Sequence, residues 1–504
     1  MRPGLAAVTA LALVAASALL VASASQPLGR WGVSWPTYKY SMTRSGYVDL
    51  HRLYPGFHYV GFRVLWKVKT QLCISSSPAV GDLNGDGRPE VAFSSCDGHL
   101  YVVDGATGRI LWNSTTGGGF ASPTIWDLDG DGRPEVVVMG ASGVVYAFNG
   151  EGREEWEVAG YFLRGSVGVA DVNGDGRYEV LAPSFDGRLY VIDYRGRVLE
   201  SIRVGPYPVS TPAIADVNGD GRPDAVVTDG SYVVLAEFGP GGKASVYSIK
   251  VGGDLVGPPA LYDLNGDGHP DAVVVSHSCR VSIVDLARER VEASLRLPGA
   301  SECYSPPSVG DVNGDGKPDI VVGSLQGLYV LSANLSVEYS FPEVKVYTSS
   351  PIIGDVDGDG RNEIVVGQES GEVDVIDVSH AGQPYEEIEW FLETGAPIMG
   401  SAAIADVNGD GSPEILIGSR DFNLYCITGI KAPTTTTTLP GPTSTSHTQA
   451  STEAAATTPS PAGEGVHATP GPAGGRASVD WVVVAGAVVA ALLIVAAATL
   501  YARR

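Results

Sequence analysis

Asp82, Asn84, Asp86 and Glu90 fall within nine residues, DLNGDGRPE, with glycines at the fourth and sixth positions. Oxygen-bearing side chains at alternate places in a tight turn suit two chemistries. Paired carboxylates pass protons, and converging oxygens hold a hard cation. Repetition decides between them. The stretch returns at Asp127, Asp171, Asp216, Asp263, Asp311, Asp355 and Asp406, with successive starts 45, 44, 45, 47, 48, 44 and 51 residues apart. One acidic turn could be a catalytic centre; eight at a regular period read as a structural metal loop used once per repeat.

Position one is Asp82, Asp127, Asp171, Asp216, Asp263, Asp311, Asp355 or Asp406, and position three is Asn84, Asp129, Asn173, Asn218, Asn265, Asn313, Asp357 or Asn408. Position five is Asp86, Asp131, Asp175, Asp220, Asp267, Asp315, Asp359 or Asp410, and position nine is Glu90, Glu135, Glu179, Asp224, Asp271, Asp319, Glu363 or Glu414. Position seven is Arg88, Arg133, Arg177, Arg222, His269, Lys317, Arg361 or Ser412, and it can offer its backbone carbonyl. Six or seven hard oxygens in a flexible arrangement suit Ca²⁺, whereas Mg²⁺ demands a stricter octahedron and keeps its waters. Soft ligands are missing, which disfavours zinc and copper. Position twelve is Phe93, Val138, Ala182, Val227, Val274, Val322, Val366 or Ile417, so the carboxylate that an EF-hand needs there is replaced by strand-forming residues. The alternative is a set of acidic turns without metal.

Charge agrees with metal. The loops hold 26 of 57 acidic residues, and eight Ca²⁺ would bring the formal charge from −24 to −8. So acidic a chain is not expected to bind nucleic acid.

The elements around each loop repeat too. A short small-residue segment precedes it (SSPAVGD, STPAIAD, SSPIIGD), a β-branched run follows (EVAFSS, EVVVMG, DIVVGS), then come an alternating segment (GHLYVVD, GRLYVID) and a fourth that often carries Trp (RILWNST, REEWEVA). Four short strands per unit of this length predict a β-propeller blade. The last unit passes from FNLYCIT into a different composition without a fourth strand, and FRVLWKV at Phe62–Val68 supplies one of the right type upstream of the first. The expected fold is therefore all-β: an eight-bladed propeller of four-stranded antiparallel blades over residues 61–431, closed by the N-terminal strand.

Outside that head, residues 1–24 read as a signal peptide ending in ASA, with 25–60 as an N-terminal extension. Residues 432–478 are a Thr/Ser/Pro-rich tract with too few large apolar residues for a core, which suits an extended stalk, O-glycosylated or plain. Residues 479–501 contain 21 uncharged residues from Trp481 to Tyr501, enough for a transmembrane helix, and the tail 502–504 ends on two arginines. The positive-inside tendency then places the propeller outside the cell membrane on a single-pass anchor.

The motif D-x-[DN]-G-D-G-x-x-[DE] behind a small-residue strand resembles the FG-GAP/VCBS repeat of the integrin α-chain propeller and its bacterial and archaeal relatives. That resemblance covers residues 62 to 430 and implies calcium in the loops. It leaves function open, because such propellers serve adhesion, ligand binding and, in some families, polysaccharide cleavage. Two departures stand out: eight units where integrins have seven, and a metal motif in every blade. LYVVDGATGRILW also resembles the quinoprotein propeller repeat, a likeness of blade packing that makes no case for a quinone cofactor.

Cys73 and Cys96 flank the first loop and are expected to form a disulfide, in keeping with an oxidising exterior. Cys279 and Cys303 are a second candidate pair, which leaves Cys426 as a buried thiol in the last blade. Asn113 and Asn334 begin glycosylation sequons. The histidines are scattered over different units and assemble with no Ser or Asp into a catalytic set, so no enzymatic activity is expected. In a four-stranded blade the acidic loops share one face, and the connections between blades share the other. The segments GGGF, GYFLRG, GPYP, GASECY and VKVYT would carry Phe120, Tyr161, Phe162, Arg164, Tyr207, Tyr304 and Tyr347 to that second face near the ring's mouth. Exposed aromatics with Arg suit a recognition surface for an extracellular protein or glycan; packing between blades is the other use such residues have, and a polysaccharide-cleaving enzyme is the other function.

Overall fold

The computed structural model describes residues 45–53, 58–160, 165–206, 210–378 and 388–431. Eight four-stranded sheets follow one another along the chain, each ordered from an inner to an outer strand and antiparallel throughout. Blade 1 consists of Ala79–Gly81, Glu90–Ser94, His99–Asp104 and Ile110–Thr115. Burial explains the four compositions. In blade 1 the inner strand is three buried residues, because blades converge towards the axis: a Cβ on Gly81 would lie 2.8 Å from Ile125 Cγ2 of blade 2. The second strand is buried along its whole length, so it reads as a continuous β-branched run rather than an alternating one. Outer strands such as Arg290–Arg296 alternate exposed and half-buried positions.

Blade 8 takes its inner three strands from Ala403–Ala405, Glu414–Gly418 and Asn423–Lys431, and its outer strand from Tyr59–Lys69. The pairing runs antiparallel from Tyr59 opposite Lys431 to Lys69 opposite Asn423. Closure at Phe62–Val68 is thus present, in a strand longer at both ends than the sequence suggested. The same strand carries a second lock. Trp66 lies over Gly108 of blade 1 and donates from Nε1 to the Gly105 carbonyl at 2.9 Å. Trp112 repeats this towards Gly150 at 2.8 Å, and Trp156 towards the Tyr194 carbonyl at 2.8 Å.

The described part of the N-terminal extension is built into the ring rather than lying outside it. Ser45 and Gly46 accept hydrogen bonds from Val309 and Ile353, and Val48 donates to Ile353. Those partners sit mid-strand in the inner strands of blades 6 and 7, whose free edges face the axis. Tyr47 pairs in parallel with Ile353, so the segment runs from the face of the interblade connections towards the acidic loops. Val48 and Leu50 are 1% exposed. Composition gave no sign of this, since the segment carries no repeat motif.

Both cysteine pairs are bonded, Cys73–Cys96 and Cys279–Cys303, while Cys426 is buried and free, its thiol pushed well up by burial. Each bond closes a loop of 23 or 24 residues. Loop entropy puts the loss of either at about 3 kcal/mol, so Cys73→Ser with Cys96→Ser is expected to lower unfolding stability by that amount, as measured by denaturant titration. Asn113 and Asn334 are both exposed. The signal peptide 1–24, the stalk 432–478, the membrane helix 479–501 and the tail 502–504 lie outside the described residues. Among the described residues no helix is long and apolar enough to cross a membrane.

Candidate functional site: the acidic loops and the opposite face

Each acidic loop joins the inner strand to the second strand of its blade, and its ninth residue opens that second strand. Five internal hydrogen bonds recur in all eight. In blade 1, Asp82 Oδ1 accepts from the Gly85 amide at 2.7 Å and Oδ2 from the Gly87 amide at 2.9 Å. Asn84 Oδ1 accepts from the Asp86 amide, Asp86 Oδ1 from the Arg88 amide, and Glu90 Oε2 from the Leu83 amide at 2.8 Å. Gly85 and Gly87 have φ of 74° and 83°, as the tight turn requires. The turn thus holds its oxygens in place before any ion arrives.

Two loops bring carboxylate oxygens to within 4.8 Å of one another: Asp355, Asp357, Asp359 and Glu363 in blade 7, and Asp127, Asp129 and Asp131 in blade 2. These are the loops with Asp at position three. Elsewhere an Asn amide turns part of that charge aside: Asn84, Asn173 and Asn408 donate from Nδ2 to Oε1 of Glu90, Glu179 and Glu414, at 2.8, 2.6 and 2.6 Å. Asn265 donates likewise to Asp271 at 3.3 Å, and Asn313 reaches Glu338 instead. Asn218 shares its loop with Asp216, Asp220 and Asp224, where the position-one and position-three bonds recur.

Position seven donates its amide to position five in every loop, and its side chain points to other tasks. Arg177 stacks on Tyr194, His269 Nδ1 lies 3.1 Å from the Val217 carbonyl of the preceding blade, and Arg361 lies 3.8 Å from Asp377. Lys317 instead reaches Asp315 of its own loop at 3.4 Å, and the amides of Arg133, Arg222 and Ser412 donate to Asp131, Asp220 and Asp410.

The ninth residue is buried in every loop. Burial, ahead of its neighbours' charge, raises Glu135 and Glu414 to about 8, Glu90, Glu179 and Asp271 to about 7, and Asp224 and Asp319 to about 6. An oxygen set of this hardness, with acidic groups that resist ionising alone, fits a calcium ion, and the same residues would hold it: the carboxylates and amide oxygens of positions one, three, five and nine, with the carbonyl of position seven. In the metal-free protein these raised values stabilise the fold fully below the unfolded carboxylate range near pH 4.5, and that contribution is lost as pH rises through 6 to 8. With chelator present, the unfolding midpoint is expected to fall between pH 5.5 and 8.5; a midpoint flat or rising over that range contradicts the assignment.

On the opposite face, Tyr304 and Tyr347 meet with ring centroids 4.9 Å apart, and His277 packs edge-on against Tyr304, also at 4.9 Å. Tyr304 and Tyr347 lie on the connections leading into blades 6 and 7, and His277 on the turn between the second and third strands of blade 5. Phe120, 49% exposed, leads into blade 2, half a ring away from Tyr304. Tyr161, Phe162, Arg164 and Tyr207 lie outside the described residues. His277 was not singled out from sequence. A lone His in a turn carries no signal until the neighbouring blade is placed beside it.

Fold and site together define a β-propeller with one acidic loop per blade on a single face. The chain belongs to the family of FG-GAP-like repeats, which matches residues 82–138, 127–182, 171–227, 216–274, 263–322 and 337–417. No curated protein matches it significantly. Among solved structures it is similar to the quinohemoprotein alcohol dehydrogenase ADHIIG from Pseudomonas putida HK5, with a TM-score of 0.57 and 12% identity over 82% of each chain. It is likewise similar to a europium-containing methanol dehydrogenase, with a TM-score of 0.55 and 12% identity over 82% of this chain and all of that one. At such identity the likeness shows the fold alone.

Proposed function

We propose that this protein is a cell-surface propeller that holds calcium in its eight acidic loops and recognises an extracellular protein or glycan through the opposite face. The observation that carries the binding reading is the His277–Tyr304–Tyr347 cluster, which joins blades 5, 6 and 7 where the connections stop resembling one another. Such an aromatic group offers flat apolar area with polar tips, the chemistry of a recognition hot spot. The leader, stalk and C-terminal apolar run of the sequence would hold the ring outside the membrane. The role is binding and not turnover, since the clustered carboxylates are accounted for as metal ligands.

The test is capture of glycans and surface proteins on an array by the purified propeller. Tyr304→Ala with Tyr347→Ala is expected to reduce capture at least tenfold while the unfolding midpoint moves little; unchanged capture would rule out this face. Turnover of a polysaccharide by the purified head would overturn the non-enzymatic reading.

A further inference from the structure

Two glutamines hold the connections that carry Tyr304 and Tyr347. Gln326, in the turn between the second and third strands of blade 6, accepts at Oε1 from the Ser301 and Glu302 amides at 2.9 and 3.3 Å. Gln368, in the same turn of blade 7, accepts at Oε1 from the Lys345 amide at 3.0 Å. The Glu369 amide donates to the Lys345 carbonyl, also at 3.0 Å, so both backbone groups of Lys345 are tied to that turn. Val346, between Lys345 and Tyr347, is buried and donates to the Ser324 carbonyl at 2.9 Å. Blades 6 and 7 thus place Tyr347 together.

What stands behind the two glutamines differs. The third-strand residue paired with the twelfth motif position is Tyr101, Tyr146, Tyr190, Tyr329 and Tyr425 in blades 1, 2, 3, 6 and 8. In blades 1, 3 and 8 its hydroxyl donates to a turn carboxylate four residues earlier, Asp97, Asp186 or Asp421. In blade 6 Tyr329 donates to the Pro298 carbonyl at 2.9 Å. Blade 7 reverses the arrangement: Asp374 takes the tyrosine's place opposite Val366, and Ser370 takes that of the turn aspartate.

The buried acid is joined to the glutamine. Gln368 Nε2 donates to Asp374 Oδ2 at 2.5 Å and to Glu372 Oε2 at 2.9 Å, which fixes the end of the amide that faces Lys345. Gln368 and Asp374 are 3 and 1% exposed, and Asp374 Oδ1 has no partner among the described residues. A carboxylate so placed is costly to ionise. Burial, with Glu372 on its own strand and Glu343 on the connection from blade 6, pushes Asp374 up to about 7 against the Gln368 hydrogen bond. The strand neighbours on either side, Val366 and Phe391, are apolar. The core that Val366 and Ile376 share with blade 6 brings Phe341 and Val344, with Tyr339 and Tyr47 at its margin.

We propose that Asp374 is a proton-operated latch on the recognition face: protonated, it holds Gln368 against Lys345 and so fixes the connection that carries Tyr347; ionised, it loosens that hold. This regulates the site proposed above and rests on that reading for its consequence, tighter capture in mildly acidic surroundings. The sign follows from linkage. A carboxyl raised in the closed state, and ordinary once opened to water, favours closure fully below the ordinary carboxylate range. That preference is lost as pH rises to about 7, by up to about tenfold in the opening equilibrium per pH unit, and changes no further above it. Blade 6 has Tyr329 where blade 7 has Asp374, so the connection held by Gln326 serves as an internal control.

The experiment is amide hydrogen exchange on the calcium-loaded full chain, read by mass spectrometry over residues 343–348 and 300–304 and divided by the intrinsic rate at each pH. From about pH 5 to 7, wild type is expected to lose protection over 343–348 at least tenfold and to level above that, while 300–304 stays within about twofold. Asp374→Asn and Asp374→Leu, which cannot ionise, should flatten the profile. Gln368→Ala should leave 343–348 poorly protected at every pH. A flat wild-type profile, an equal fall over 300–304, or the wild-type profile in both Asp374 variants would each overturn the proposal. No ligand enters this readout, so it is separate from the capture test. The expected exchange profile, with capture unchanged by Tyr304→Ala and Tyr347→Ala, would leave the latch standing and sink the recognition reading alone.

Discussion

Stripping calcium from the folded head with a chelator is expected to lower its unfolding midpoint by about 10 °C or more, and metal analysis of the untreated protein to find up to eight calcium ions per chain. A ligand at a hundred times its dissociation constant adds about 2.7 kcal/mol per site to the folded state. At about 2 °C per kcal/mol for a domain of this size, two such sites already account for a drop of about 10 °C. The loops should not be equal. Blade 7 gathers four carboxylates, three of them buried, and should release its ion last. In blades 5, 6 and 8 a cation already leans on the position-five carboxylate: Arg288 on Asp267 at 3.1 Å, Lys317 on Asp315 at 3.4 Å and Lys431 on Asp410 at 3.3 Å. Exposed pairs of this kind contribute at most about 1 kcal/mol, yet they reduce the field left for calcium, so these sites should empty first in a stepwise titration. A midpoint indifferent to chelator, with no bound metal, would refute the central reading of the loops.

The second large effect concerns the seam. Trp66→Ala is expected to cost about 3 kcal/mol, towards the lower end for a truncated Trp because the side chain is half-buried. It removes the indole over Gly108 and the hydrogen bond to Gly105 at the one junction where the chain's two ends meet. Trp112→Ala removes a chemically similar contact between blades already linked in sequence. A larger loss of cooperativity for Trp66→Ala than for Trp112→Ala, seen as a broadened unfolding transition, would confirm that the seam is the weak point. Equal effects would show that closure rests on strand pairing alone.

Much of this was legible in residues 59 to 431 because the repeat writes the blade eight times over. Small residues before Asp82 mark a crowded inner strand, the run after Glu90 a strand buried on both sides, and the Gly85 and Gly87 pair a turn that few other residues could make. The missing fourth strand of the last unit even announced the closure, since a blade without it would expose an edge. The disulfide Cys73–Cys96 followed from two cysteines placed alike around one loop.

What the sequence could not rank was the use of each copy. Asn at position three looks interchangeable with Asp until the fold turns the Asn84 amide onto Glu90, while Asp357 joins three other carboxylates. Tyr304 and Tyr347 are 43 residues apart in the chain, and His277 a further blade away; only the ring sets them in contact. The same holds for residues 45–50, whose place along the inner strands of blades 6 and 7 no local pattern could specify. The sequence by itself determined the blade and its number, because those depend on periods within one repeat. The tertiary structure alone decided which copies differ in effect, because that depends on contacts between repeats, where each residue's partner lies a blade or more away.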